Sequence, residues 1–152
     1  MPPDRKFIST KNKVYLENLE LASHILKNGN HKTNLVPLVE DILSIDPGMR
    51  FVAIIDLRGN ISEAIMKKGK TSLKSQKEEE HFCKQVALGR RMRNEFNKNL
   101  GKVNYVHIER ERVTQIVVYP KRKTVYVTLE PKLNMERKME IVHLIKKKTV
   151  GL

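Results

Sequence analysis

The stretch from Asp46 to Gly69 reads DPGMRFVAIIDLRGNISEAIMKKG, and it decides the fold. Phe51 to Leu57 is apolar at every position except Asp56. A strand with one face in solvent alternates apolar and polar residues, whereas a continuous apolar run of this length buries both faces. We therefore predict a strand inside a sheet that carries helices on both sides.

A tight turn and a second strand complete this hairpin. Arg58, Gly59 and Asn60 follow the first strand, and Gly and Asn tolerate the positive φ angles that hairpin turns require. The chain then returns through Ile61–Met66 as the partner strand. The remaining elements can be placed relative to this pair.

The longest helix is predicted to begin at Ser75, because Ser75 and Glu78 have the spacing of a capping box. Acidic residues lie in its first turn and basic residues in its second half, which suits the helix dipole at both ends. Its apolar residues are predicted to form a buried stripe. This stripe consists of Phe82, Val86, Met92 and Phe96.

Short charged connections separate three strand-like runs after this helix, and they predict an antiparallel meander. Asn134 is in position to cap a final helix. The predicted helices are Val14–Leu26, 34–45, 75–100 and 134–147, and the three strands are Val103–Ile108, Val113–Tyr119 and Thr124–Glu130.

The element order resembles the roadblock (dynein light chain) fold, a relative of the profilin and longin architectures. The resemblance is clearest in LVPLVEDILSIDPGMRFVAIIDLRGNISEAI and extends from Asn34 to about Lys148. It implies an α+β three-layer sandwich, in which a five-stranded antiparallel sheet carries helices on both faces. We accordingly divide the chain into an N-terminal extension, 1–33, with one helix, and a roadblock-like domain, 34–152. The segment QVALGRRMRNEFNKNLGKVNY is also similar to a family of uncharacterised archaeal (thaumarchaeal) proteins.

Charge favours an acidic partner. The 152 residues include 30 Lys and Arg against 17 Asp and Glu, a net charge of +13, which attracts nucleic acid, anionic membrane surfaces and acidic proteins. No apolar run approaches the roughly 18 residues of a membrane span, and no signal-peptide core is visible. With a single cysteine no internal disulfide is possible, so we expect a cytoplasmic protein.

Basic residues cluster in the second half of the long helix and in the loop before the last strand. We assign them as candidate partner-binding residues. They are Arg90, Arg91, Arg93, Lys98, Lys121, Arg122 and Lys123. The low aromatic content of 5%, without Trp, argues against single-strand binding by base stacking. Nucleic-acid binding would then be directed at the backbone and sensitive to salt.

Sequence motifs for catalysis, metal binding or a cofactor are not found. Gly69-Lys70-Thr71 resembles the end of a P-loop, but Ala64 stands where that motif needs a glycine. Cys83 lies among apolar residues and is predicted to be a packed thiol. The five histidines show no paired metal-ligand spacing. In the roadblock resemblance Asp56 belongs to the turn, so we predict a protein that is not an enzyme and has no cofactor.

The roadblock resemblance implies a regulatory or scaffolding module. Proteins of this type act as dimeric platforms, often in small-GTPase regulation or motor complexes. We therefore expect a homodimer with an acidic protein partner, for which a small GTPase is a candidate. The interface candidates are Met92, Phe96, Val103 and Tyr105. Two alternatives stay open, a backbone-directed nucleic-acid-binding protein and a small-molecule sensor with a ligand held between sheet and helix.

Overall fold

A computed structural model describes residues 34–152. The predicted helix Val14–Leu26 and the rest of the extension 1–33 lie outside the described residues. Within 34–152, no helix has the length and apolarity that crossing a membrane requires. The elements are α1 (Val36–Leu43), β1 (Met49–Asp56), β2 (Ile61–Met66), α2 (Gln76–Asn94), α3 (Asn97–Leu100), β3 (Val106–Glu109), β4 (Thr114–Val118), β5 (Lys123–Leu129) and α4 (Met135–Lys148).

The five strands form one antiparallel sheet in the order β2-β1-β5-β4-β3. Helix α2 covers one face of this sheet, and helices α1 and α4 cover the other. The predicted α+β three-layer architecture is confirmed. β1 is an interior strand, and β3 lies at an edge with β4 as its one neighbour in the described sheet.

The apolar run in β1 buries both faces of the strand. Ile54 packs in the cluster formed with α1 and α4, whereas Ile55 packs in a second cluster formed with α2. Both side chains are fully buried. The absence of apolar–polar alternation therefore had the predicted cause, which is a sheet covered on two sides.

The hairpin turn depends on Gly59 and Asp56. Gly59 adopts a φ of +92°, and a Cβ built there would lie 2.7 Å from the Cα of Lys84 on α2. The Asp56 carboxylate accepts hydrogen bonds from the backbone amides of Arg58 and Asn60 and from Asn60 Nδ2. Partial burial raises the pKa of Asp56, but these hydrogen bonds outweigh it and lower the pKa overall. Asp56 is thus a turn residue, as the resemblance implied.

Helix α2 begins as predicted and ends early. Ser75 and Glu78 form a reciprocal capping box, but α2 stops at Asn94 and the short α3 follows it. The predicted helix 75–100 is therefore wrong at its C-terminal end. Asn94, Asn97 and Asn99 concentrate low helix propensity in this segment, and the Asn97 side chain donates to Asn94 Oδ1.

Strand β3 is shorter than predicted and begins at Val106. Its partner β4 has five residues, so the ladder begins where Val106 pairs with Val117. Pro120 follows shortly after and lacks the N–H that a longer ladder would need. Val103 and Tyr105, predicted to lie in this strand, precede it.

Candidate functional site

Arg90 fixes the turn between β4 and β5. Its Nη1 donates to the carbonyl oxygen of Lys123 at 2.7 Å and to Thr124 Oγ1 at 3.0 Å. Its Nη2 donates to the carbonyl oxygen of Pro120 at 2.5 Å. The guanidinium also lies over the Tyr119 ring, with 4.9 Å between Cζ and the ring centroid, and burial lowers the pKa of Arg90. Both terminal nitrogens of Arg90 are thus engaged within the chain, and its predicted partner contact stays a prediction.

The neighbouring arginines lie at the surface of the same end of the sheet. Arg91 Nη1 donates to the carbonyl oxygen of Leu57 at 3.2 Å. Arg93 Nη1 donates to the Tyr119 hydroxyl at 3.0 Å. Both side chains are exposed, so these contacts orient the guanidinium groups without removing them from solvent.

The remaining predicted cations divide into one engaged residue and three exposed ones. Lys123 Nζ donates to Ser62 Oγ at 2.9 Å on the neighbouring hairpin. Lys98, Lys121 and Arg122 are exposed. The structure thus places the predicted cations around the end of α2 and the β4–β5 turn, and five of them face solvent. We call these five the basic face: Arg91, Arg93, Lys98, Lys121 and Arg122.

An apolar stripe lies on the outer side of α2 and α3. Met92 and Phe96, predicted to be buried, are each 58% exposed. The side of α2 that faces the sheet instead carries Glu79, Cys83 and Ala87 at four-residue intervals. Two residues not chosen from the sequence extend the exposed side at the same spacing. The apolar stripe is Leu88, Met92, Phe96 and Leu100.

The other two interface candidates lie in the segment before β3. The Tyr105 hydroxyl donates to Met139 Sδ at 3.3 Å, which places Tyr105 on the α4 side of the sheet. Val103 is half-buried in the segment before β3. On the α2 side of the edge strand, Val106 packs against the apolar cluster and Ile108 is 39% exposed. Of these two α2-side residues, Ile108 is the exposed one.

Cys83 has the surroundings of a structural thiol. It is fully buried in the cluster between α2 and the sheet, and burial raises the pKa of its thiol to about 12. A nucleophilic cysteine requires the opposite shift. The packed thiol predicted from the sequence is what the structure contains.

The fold is shared with solved structures of low sequence identity. The gliding protein MglB from Thermus thermophilus matches with a TM-score of 0.63 and 12% identity, over 76% of this chain and 85% of that one. A Roadblock/LC7 domain from Streptomyces avermitilis matches with 0.58 and 10%, over 76% and 93%. Schizosaccharomyces pombe profilin matches with 0.56 and 12%, over 78% and 98%. The predicted roadblock-like and profilin-like fold is thereby confirmed.

Sequence comparison gives a family without an assigned activity. No curated protein sequence matches the chain. The profile of the family of unknown function DUF6659 matches residues 37–149, which span the sheet and the helices on both of its faces. The chain belongs to the DUF6659 family.

Proposed function

We propose that the protein is a non-enzymatic regulatory module that dimerises through the apolar stripe and binds an acidic protein through the basic face. The observation that carries the proposal is the position of the stripe directly beside exposed cations on α2. The fold that the chain shares with Roadblock/LC7 and MglB structures supports a regulatory rather than a catalytic role.

Dimerisation would cover surface that is costly to leave in water. Met92, Phe96 and Leu100 are each more than half exposed, and a contiguous exposed apolar surface marks an interaction site. Within residues 34–152, β3 has no strand on its outer side, and such an edge can pair with a second chain. Twofold symmetry makes such a surface complementary to itself.

A dimer would also double the basic face. Two copies would bring ten exposed cations into one assembly, given the five in each chain, and so raise the local positive potential. The roadblock resemblance favours a protein partner of the small-GTPase class. Nucleic acid is the second candidate, supported by the net charge of +13.

The dimer is tested by placing a charge in the stripe. For the full chain we expect light scattering at tens of micromolar to give twice the chain mass of 17.7 kDa. Met92→Glu should give the single-chain mass, because a buried unpaired carboxylate opposes association. Met135→Glu is the matched control, since Met135 is similarly exposed at 55% but lies on α4. A single-chain mass for the unmodified protein would refute the dimer.

The basic face is tested by reversing its charges. Arg93→Glu combined with Arg122→Glu should preserve the dimer and reduce recovery of proteins that co-purify with the tagged full chain from its source cell. The matched control is Arg112→Glu with Lys132→Glu, which makes the same charge change at the other end of the sheet. Loss of the co-purifying proteins after nuclease treatment would favour nucleic acid as the direct partner. Equal recovery with both double variants would show that the basic face is not the binding site.

A further inference from the structure

A cavity of about 490 Å³ lies at the end of the sheet opposite the basic face. It is enclosed by the first turns of α2, the loop 67–75 and the turn 110–113. At this end of β1 Phe51 pairs with Met66, whereas at the other end Asp56 pairs with Lys123 beside the basic face. The cavity is therefore a separate site, and its volume is within the usual range for small-molecule pockets.

Part of the cavity wall is apolar and firmly held, although most of the lining residues are polar or charged. Phe51, Met66 and Val113 line it and are each more than nine-tenths buried. Phe82 on α2 forms a further wall and packs against the Tyr126 ring, with 4.9 Å between ring centroids. Leu73 stands at the rim and is 53% exposed. Such walls suit a ring or a short hydrocarbon body.

Glu79 is the polar group that the protein leaves unsatisfied in this cavity. The residue is 6% exposed, and its Oε2 lies 3.5 Å from Lys74 Nζ. Its Oε1 is buried and has no hydrogen-bond partner among the described residues. Nearby groups are satisfied, since the Tyr126 hydroxyl accepts from Gln115 Nε2 at 3.0 Å. Buried carboxylate oxygens are normally hydrogen-bonded, and Glu79 lines the cavity, so Oε1 is an acceptor that lacks its donor.

Positive charge dominates the mouth. Lys70 and Arg50 line the cavity, but both already pair with Glu130. Arg110 Nε donates to Gln115 Oε1 at 2.7 Å, and its terminal nitrogens make no hydrogen bond within residues 34–152. Arg112 is exposed at the same turn, next to Glu111. The turn itself is closed by the Arg110 amide, which donates to the Val113 carbonyl oxygen at 2.9 Å.

We propose that this cavity binds a small organic anion with an apolar ring body. Its N–H or O–H donor would meet Glu79 Oε1, and its anionic group would meet the guanidinium groups of Arg110 and Arg112. A ring body suits the cavity better than a simple inorganic ion, because such an ion would leave the apolar part of the wall in contact with water. Excess positive charge at the mouth disfavours a cationic ligand.

Toluidinonaphthalene sulfonate is a probe with all three features, namely an N–H donor, a naphthalene body and a sulfonate at the far end. Calorimetry on the full chain should show one saturable site per chain. Leu73→Trp should abolish this site by filling the rim, and because Leu73 is half-exposed the fold should be kept. Naphthalene sulfonate, which lacks the donor, should bind at the same site more weakly.

The variants separate the donor contact from the anion contact. Glu79→Gln should weaken the binding of toluidinonaphthalene sulfonate about tenfold, because a charge-assisted hydrogen bond is lost. The binding of naphthalene sulfonate should be unchanged. Arg110→Gln with Arg112→Gln should weaken both probes about tenfold. The matched control, Arg91→Gln with Arg93→Gln at the other end of the sheet, should change neither.

Specific results would overturn the proposal. The absence of a saturable site on the full chain, or a site unaffected by Leu73→Trp, would show that the cavity is not a ligand site. Equal weakening by the two double arginine variants would show that net charge alone binds the probe. An equal effect of Glu79→Gln on both probes would remove Glu79 as a ligand contact. None of these results depends on the dimer or on the basic face.

Discussion

The two helical layers of this protein differ in how they are packed against the sheet. Among residues 34–152, the layer of α1 and α4 shares a cluster of fifteen buried apolar residues with the sheet, whereas the α2 layer shares a cluster of eight. In the second cluster α2 itself contributes one buried residue, Cys83. The rest of the buried side of α2 consists of Glu79 and Ala87.

This difference indicates a division of roles. A large apolar cluster of branched side chains contributes most of the free energy of folding. The α2 layer instead has small residues, a buried carboxylate and the cavity, and its outer side carries the apolar stripe and part of the basic face. Buried charge is not confined to this layer, since Glu63 on the α1 and α4 side of the sheet and Lys138 on α4 are also buried. The cavity and the apolar stripe, however, both lie with α2.

Two neighbouring residues of β1 allow the difference in packing between the two layers to be measured. Ile54 faces the α1 and α4 layer and Ile55 faces the α2 layer, and both are fully buried. Ile54→Ala should lower the free energy of unfolding by about 3–5 kcal/mol, because a tightly packed cluster cannot close the void. Ile55→Ala should cost about 2–3 kcal/mol, since the looser layer can relax. Urea denaturation measures both values, and an equal cost would contradict the division of roles.

Glu109 is a carboxylate at the edge of the α1 and α4 layer, and its contribution to stability depends on pH. Glu109 accepts from Lys138 Nζ at 2.7 Å, from Thr114 Oγ1 at 2.8 Å and pairs with His107 Nε2 at 2.6 Å. Burial alone raises the pKa of Glu109, but these hydrogen bonds outweigh it and lower the pKa to about 2. Because the folded pKa lies below the unfolded value, the stabilisation is complete above about pH 4.3 and is lost as the pH falls towards 2.

Glu109→Gln removes this stabilisation. At pH 7 we expect a loss of about 1–2 kcal/mol, the size of a hydrogen bond to a charged group reduced by the partial exposure of Glu109. The difference between the variant and the unmodified protein should shrink as the pH falls from 4 to 2, because Glu109 is protonated in the unfolded chain first and is about half protonated in the folded protein near pH 2. Urea denaturation at pH 7, 4 and 2 gives the comparison, and a difference independent of pH would show that the carboxylate charge is not involved.

The sheet and its two-sided burial could be predicted from the sequence, because they depend on local rules. Three signals each involve only a few neighbouring residues. They are the apolar residues at both odd and even positions of Phe51 to Leu57, the turn at Gly59 and the capping box at Ser75. The short ladder of β3 could not be predicted, since its length depends on where the partner strand β4 ends. The sequence of one strand does not show where a distant partner strand ends.

The errors on α2 have a related cause. Met92 and Phe96 have the helical spacing of core residues, and nothing in their own segment distinguishes a stripe that faces the sheet from one that is exposed. Glu79 lies between Glu78 and Glu80 in a run typical of an exposed first turn. Its burial follows from its alignment with Cys83 and Ala87, which requires knowing which side of α2 meets the sheet. The cavity depends on the same alignment, so it could not be predicted either.

Glu79→Gln gives the smallest expected effect and the sharpest contrast with Glu109. Burial raises the pKa of Glu79, and the attraction of Lys74 only partly offsets this. The folded pKa of Glu79 therefore lies above its unfolded value, so the destabilising contribution of Glu79 is absent below about pH 4.3 and grows as the pH rises to the folded pKa. Gln keeps the shape of Glu without the cost of burying a charge. At pH 7 the free energy of unfolding of the variant should be higher than that of the unmodified protein, by less than about 1 kcal/mol. Urea denaturation from pH 4 to 8 should show the difference moving in the variant's favour, whereas a loss of stability at pH 7 would mean that Glu79 serves the fold rather than a ligand.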